Sequence, residues 1–409
     1  MSNKILDKFD LTLILATVAM VTIGIFSIYS ATNAHTGGTD FYNKQLLFAF
    51  VGLAVIFTAN YLSPKYFSQF SYYLYAFSIV LLILVLIFGK TINGNKSWFY
   101  IGGFGIQPSE FAKITTVLAV SNFLNKDDES VNVNKPLVFF KALLFIVIPF
   151  ILVKMEHDTG TSLVFLSFII PMVFWTGLNP FFLFSIISPI ALAILSFLNP
   201  VYFYIGLGIV LISLFFFKKS VIKSAVVMIA NIAAGYSVHY FYSKLQLYQQ
   251  ARIMAVFDPT TDPLGSGYNV IQSKVAIGSG GIMGKGFLQG SQTQLRFIPE
   301  QWTDFIYCMI GEEFGLIGAS VIIILFIIII LRLVNNAYLS KNKFLGTACV
   351  GFASLFLFHL FINVGMTIGL MPVIGIPLPL ISYGVSSMLS FMLMIGIGMN
   401  TYRNRNVYF

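Results

Sequence analysis

Charge is what this chain has least of. Only 10% of its 409 residues are Asp, Glu, Lys or Arg, whereas 57% are hydrophobic, a balance that excludes an ordinary soluble domain. Cysteine is nearly missing. Cys308 and Cys349 both fall inside apolar runs, which excludes a disulfide framework and a paired-cysteine metal site. The four histidines, His35, His157, His239 and His359, are scattered and form no metal-ligand spacing; His359 reads as a polar residue packed between helices. The chain has no repeat with matched broken segments, so a two-lobed transporter built from repeats gains no support.

In place of charge there are long apolar runs. A transmembrane helix needs about 20 mainly apolar residues, and twelve stretches qualify: 11–31, 46–63, 69–89, 109–125, 137–154, 161–177, 181–198, 201–217, 221–243, 305–331, 344–371 and 378–401. The fold class is an all-α polytopic transmembrane bundle of a single membrane domain. The first run follows MSNKILDKFD and resembles a signal peptide ending near Ala34, but its apolar core is too long for one. Lys and Arg in short loops, among them Lys4, Lys8, Lys218, Lys219, Lys223, Arg332, Lys341, Arg403 and Arg405, place both termini in the cytoplasm. The formal charge of +9 is therefore explained by topology and implies no nucleic-acid partner. One long extracytoplasmic loop, 244–303, exceeds an ordinary connection and is expected to be functional; within it Val270, Ile271, Val275 and Ile277 predict a short amphipathic helix at the surface.

Polar groups that are costly in a bilayer collect in four outward-facing stretches. In GNKSWFYIGGFGIQPSEFAK, 94–113, Pro108 and Ser109 suit a helix start, after which Glu110 and Lys113 stand three apart and can pair. EHDTGTSL places Glu156 and Asp158 just before a span, where Asp158 would also serve as a helix cap. The glycine-rich GSGGIMGKG, 278–286, offers amides for an anion nest beside Lys274 and Lys285, although it is not a P-loop. LRFIPEQWTDFIYCMIGEEFG carries Arg296, Glu300, Asp304 and Glu312 at the start of a span. A dipole or cap role needs one acid only, so this set is expected to face a cavity. A half-desolvated carboxylate there is a better general base, and Asp304 is the prime candidate. The stretch 363–387, broken by Pro372, Pro377 and Pro379, would line a groove.

The motifs QPSEFAK, DTGT, DPLGSGYNVIQSKVAIGSGG, PEQWTDFIY and GIPLPLISYG resemble, in order, the signatures of the SEDS (shape, elongation, division and sporulation) family. The IQSKVAIGSGG and QLRFIPEQ wording is closer to its elongation members than to its division members. The resemblance implies a peptidoglycan glycosyltransferase that polymerises lipid II on the outer face of the cytoplasmic membrane. It assigns catalysis to Asp304, matches Glu110 and Lys113 to the family's polar pair and Asp158 to its DxGT acid. Lys96, Lys113, Lys274, Lys285 and Arg296 are then candidates for the substrate diphosphates, with Trp98 and Glu300 as further substrate contacts. A divalent cation, Mg²⁺ or Mn²⁺, is expected at Asp304. The implied partners are lipid II, a class B penicillin-binding transpeptidase and other membrane proteins of the elongation complex. A lipid II flippase is the alternative. Two departures stand out: Ser97 occupies a position where the family commonly has Arg, and twelve spans exceed the family's ten, the excess read as an inserted hairpin at 181–217.

Overall fold

A computed structural model describes residues 8–33, 38–92, 94–101, 104–126, 132–258 and 266–407. Lys4, Ala34, His35 and residues 259–265 of the long loop lie outside the described residues. Its helices run α1 Leu11–Asn33, α2 Gly38–Tyr61, α3 Pro64–Phe88, α4 Pro108–Leu124, α5 Pro136–Met155, α6 Thr159–Ser167, α7 Ile169–Trp175, α8 Pro180–Leu198, α9 Pro200–Phe216, α10 Val221–Lys244, α11 Leu247–Phe257, α12 Ser266–Gly280, α13 Ser291–Gln294, α14 Ile306–Leu339, α15 Lys343–Thr367 and α16 Val385–Arg403. Each apolar run singled out above contains a helix, the sixth broken into α6 and α7, the eleventh helical to Thr367 and the twelfth only from Val385. Among the described residues nine helices are long and apolar enough to cross a membrane, which makes this a multi-pass membrane protein.

Chain contacts divide the molecule into two compact units, residues 177–254 and the remainder. In the smaller unit, α8, α9 and α10 bury Leu192, Phe203, Val210, Leu214 and Val227 together. Ser196 Oγ donates to Gly235 O at 2.7 Å, a bond that is favoured where lipid offers no competing partner.

In the larger unit α15 and α16 form the interior. Leu355, Phe356, Phe391 and Met394 are fully buried there, and the Phe356 and Phe391 rings meet edge to face at 4.8 Å, a preferred aromatic geometry. One end of this bundle is tied by Asp10, which accepts from Arg332 Nε at 3.1 Å and Asn336 Nδ2 at 2.9 Å and caps α1 through Leu13 N. Arg403, at the end of α16, stacks over Tyr61 at that same end. α1 therefore starts where α16 stops. At the opposite end, β1 Lys90–Ile92, β2 Asn95–Ile101 and β3 Phe104–Ile106 make a small antiparallel sheet in the order β1-β2-β3.

α14 is 34 residues long, about 51 Å at 1.5 Å per residue and more than a bilayer core requires. Gly315, with φ 64° and ψ −161°, breaks it. Residues 306–314 are thus a separate arm, and 316–339 form the span. The loop after α12 clamps this break: Leu316 N donates to Gly281 O at 2.9 Å, Lys285 N to Glu312 O at 3.0 Å and Gly286 N to Glu313 O at 3.0 Å. A Cβ at Gly280 or Gly284 would overlap the carbonyls of Gly311 and Glu313. These glycines serve close backbone approach. The anion nest expected here does not form, because the amides of 284–286 are spent on carbonyls.

Candidate functional site

Asp304 lies in the turns that precede α14, not in the helix's first turn as expected. The N-cap is Phe305, with no side-chain cap bond, so Asp304 is not consumed as the cap of α14. Its residue is half-buried. Three successive carbonyls of its turn are stitched to the neighbouring chain: Trp302 O accepts from Tyr383 N at 2.9 Å, Thr303 O from Ser382 Oγ at 2.6 Å and Asp304 O from Asn363 Nδ2 at 2.9 Å. The proline-rich segment between α15 and α16 walls the carboxylate. A Cβ on Gly375, whose φ is +67°, would stand 3.1 Å from Asp304 Oδ2, so glycine lets this backbone come close. Thr303 Oγ1 donates to Glu300 Oε2 at 3.1 Å, and Glu300 sits at a left-handed φ of 52°.

The same segment touches the start of α6. Gly160 approaches the Ile374 carbonyl so closely that a Cβ would overlap it. Asp158 is the N-cap of α6, accepting from Thr161 N at 2.9 Å and Thr161 Oγ1 at 2.8 Å, as Ser/Asp-type caps do. Its second oxygen also accepts from Gln107 Nε2 at 3.0 Å, which ties α6 to the start of α4. Burial raises the Asp158 carboxyl above its ordinary range, Glu110 adds to this, and the Thr161 bonds and Lys113 oppose it. Two residues earlier, Glu156 is fully buried with neither carboxyl oxygen bonded among the described residues. Burial, with Asp158's charge second, pushes it up to about 9, so at neutral pH it carries a proton.

Pro108 begins α4 as anticipated, and Glu110 and Lys113 pair at 2.9 Å with side chains 3% and 0% exposed. Ser390 Oγ donates to the second Glu110 oxygen at 3.0 Å, and Lys113 stands over the Phe391 ring at 5.3 Å. The Lys113 ammonium is 3.5 Å from His359 Nε2. Glu110, Lys113 and Asp158 therefore form one electrostatic group, joined through residues 374–377 to Asp304.

The other candidates are placed differently. Lys96 donates its ammonium to Ile87 O at 3.0 Å, capping α3, while its amide holds Glu156 O at 3.0 Å. Trp98 packs over Gly105. Lys285 pairs with Glu312 at 2.7 Å. Glu312 does not face a cavity as expected: it is fully buried and also accepts from Gln292 N, Thr293 N and Thr293 Oγ1, fixing α13. Such a saturated carboxylate is structural. Lys274 is exposed, its stem lying against Gly369. Arg296 is exposed at a left-handed φ of 60°. α12 contains the predicted amphipathic turn: it buries Val270 and Ala276 and leaves Lys274 and Val275 exposed. An apolar groove of about 400 Å³ between α1 and α14, lined by Ile23, Phe26, Phe287, Ile310 and Phe314, contains none of the candidate residues. Among the described residues no three His, Cys, Asp or Glu side chains gather as a metal site.

Ser382 and Asn363 both fall in the stretch 363–387 expected to line a groove. Nothing in the sequence marks either as a partner of the Asp304 turn.

A multi-pass helical membrane protein with a carboxylate on a stitched turn and a buried acid–base network beside it is the class these features define. The chain belongs to the FtsW, RodA and SpoVE family of cell cycle proteins, which it matches over residues 9–205 and 199–407. It is 32% identical over 425 residues to the peptidoglycan glycosyltransferase RodA of Treponema pallidum (strain Nichols), covering 96% of this chain and 97% of the relative. It is 33% identical over 399 residues to the peptidoglycan glycosyltransferase MrdB of Escherichia coli (strain K12), covering 97% and 94%. Its fold resembles a chain of a peptidoglycan synthase complex that coordinates polymerisation and crosslinking, with TM-score 0.71, 25% identity and coverage of 97% and 98%. It also resembles Thermus thermophilus rod shape determining protein RodA, with TM-score 0.63, 22% identity and 98% coverage of each chain.

Proposed function

We infer that this protein is a peptidoglycan glycosyltransferase of the elongation type, polymerising lipid II at the outer face of the cytoplasmic membrane with Asp304 as general base. The observation that carries the reading is the placement of Asp304: half-buried, outside the cap of α14, and held by bonds to three successive carbonyls of its turn. The acceptor sugar's 4-hydroxyl attacks the donor's anomeric carbon, its proton passes to the Asp304 carboxylate, and the bond to undecaprenyl diphosphate breaks with its electrons on the leaving oxygen. Positive charge lowers the barrier to that departure. Lys274 and Arg296 are exposed and suit this role, whereas Lys96, Lys113 and Lys285 already hold carbonyl or carboxylate oxygens. Glu110, Lys113 and Asp158 fix the walls of the site.

A divalent cation fits only as an ion shared between Asp304 and diphosphate oxygens, since Mg²⁺ commonly takes one or two carboxylates and completes its shell from substrate and water. A class B penicillin-binding transpeptidase is the partner that a strand polymerase requires, and the likeness to a synthase complex supports that pairing.

The test is polymerisation of lipid II by purified protein, with and without the transpeptidase, comparing Asp304→Asn. Loss of a positioned general base predicts a fall of about 10²–10⁴-fold. Undiminished polymerisation by Asp304→Asn removes the assignment; transport of lipid II across vesicles without any glycan product would establish a flippase in its place.

A further inference from the structure

We propose that Asn363, on α15, is the positioning residue that sets Asp304 for catalysis; this rests on Asp304 being the base. Asn363 is fully buried. Its single amide nitrogen donates twice, to Asp304 O at 2.9 Å and to Ile376 O at 2.8 Å. Both acceptors are carbonyls and cannot donate, so the amide can face them only with its NH₂ group. The reversed rotamer would set three oxygens against one another. Holding this orientation leaves Asn363 Oδ1 buried without a partner among the described residues. An unsatisfied buried oxygen is a cost that native structures keep where geometry matters.

The two carbonyls matter because of what they carry. One belongs to Asp304 itself. The other precedes Pro377 in the segment whose Gly375 lies against Asp304 Oδ2. One side chain therefore fixes both the turn that bears the carboxylate and the wall it faces. Ser382 and Tyr383 hold the carbonyls of 303 and 302, while the peptide after Asp304 has its carbonyl held by Asn363 at 2.9 Å and its N–H, from Phe305, donated to Glu300 O at 3.3 Å. Without Asn363 only that longer bond within the turn restrains the peptide, which can tilt and carry the carboxylate with it, and displacements near 1 Å reduce rates about 10²-fold.

One helical turn earlier, His359 supports the same wall. Its Nδ1 lies 2.9 Å from Pro377 O. The carbonyl only accepts, so Nδ1 carries the hydrogen and Nε2 turns its lone pair to the Lys113 ammonium 3.5 Å away. Positions 359 and 363 share a helix face, and from it they hold the consecutive carbonyls of 376 and 377.

The experiment uses full-length protein reconstituted in vesicles with its transpeptidase and lipid II, measuring kcat and KM per folded molecule. Asn363→Ala is expected to lower kcat about 10–100-fold with KM for lipid II within about twofold of wild type. Asn363→Ala combined with Asp304→Asn is expected to be no slower than Asp304→Asn alone, because both act through one group. Asn400→Ala is the control. That amide donates to the carbonyls of Ala59, Asn60 and Leu62 at the other end of the bundle, so it should lower the melting temperature and leave kcat unchanged. If Asn363→Ala does not fold, Asn363→Leu, which keeps the shape and loses the donors, is read in the same way. A folded Asn363 variant with wild-type kcat, or one whose whole effect is on KM, overturns the proposal while a dead Asp304→Asn upholds the base. An active Asp304→Asn overturns the base itself.

Discussion

Replacing Lys113 with Met leaves Glu110 buried, 3% exposed, with one oxygen stripped of its partner at 2.9 Å and only the Ser390 hydroxyl, at 3.0 Å, on the other. Breaking a buried pair from one side costs about 3–5 kcal/mol, because the remaining charge has neither water nor a counter-ion. The Phe391 ring and the His359 lone pair add to what the ammonium loses. Removing both charges, as Glu110→Gln with Lys113→Met, abolishes the uncompensated charge. Replacement of an entire buried pair is often close to neutral, so the double variant should recover most of that 3–5 kcal/mol. Thermal unfolding in detergent, followed by intrinsic fluorescence, measures all three variants against wild type. A Lys113→Met protein as stable as wild type, or a double variant no better than the single, would refute the reasoning. Polymerisation should remain impaired in the double variant, since the network that walls Asp304 through His359 and Pro377 is then uncharged.

Glu156→Gln should stabilise the protein in a pH-dependent way. The folded carboxyl titrates near 9 against an ordinary value of 4.5, so between these values the folded state retains a proton that the unfolded chain has released. Stability is therefore lost as pH rises through this window, by up to about 1.4 kcal/mol per pH unit. The gain from Glu156→Gln should be larger at pH 8 than at pH 5.5; a gain independent of pH would show that the carboxyl is not held protonated. Gly284→Ala places a methyl group onto the Glu313 carbonyl at a left-handed φ of 81° and should cost about 1–3 kcal/mol, read as a lower melting temperature with a loosened α13. An unchanged melting temperature would mean that the clamp at Gly315 is not rigid.

Asp158 offers a helix cap and a site carboxylate as competing accounts in the sequence. The structure shows the cap, with Oδ1 accepting from Thr161 N and Oδ2 from Thr161 Oγ1, and adds a bond from Gln107 to that second oxygen. Glu312 divides the other way. Glu300, Asp304 and Glu312 together at the start of a span suggested a cavity, yet Glu312 is saturated by α13 and Lys285.

The sequence by itself determined the helices. An unbroken apolar run of about 20 residues has no folded alternative in lipid, because every backbone amide and carbonyl must be satisfied within its own segment; Pro108 and Asp158 likewise marked helix starts through local chemistry that spans only three residues. Only the tertiary structure decided which polar groups meet. Asn363 and Ile376 are 13 residues apart, Asn363 and Asp304 are 59, and Lys285 and Glu312 are 27, separations over which no helical or strand periodicity carries information. Whether a lysine stays exposed, like Lys274, or meets a buried carboxylate, like Lys113, depends on the distant chain brought against it.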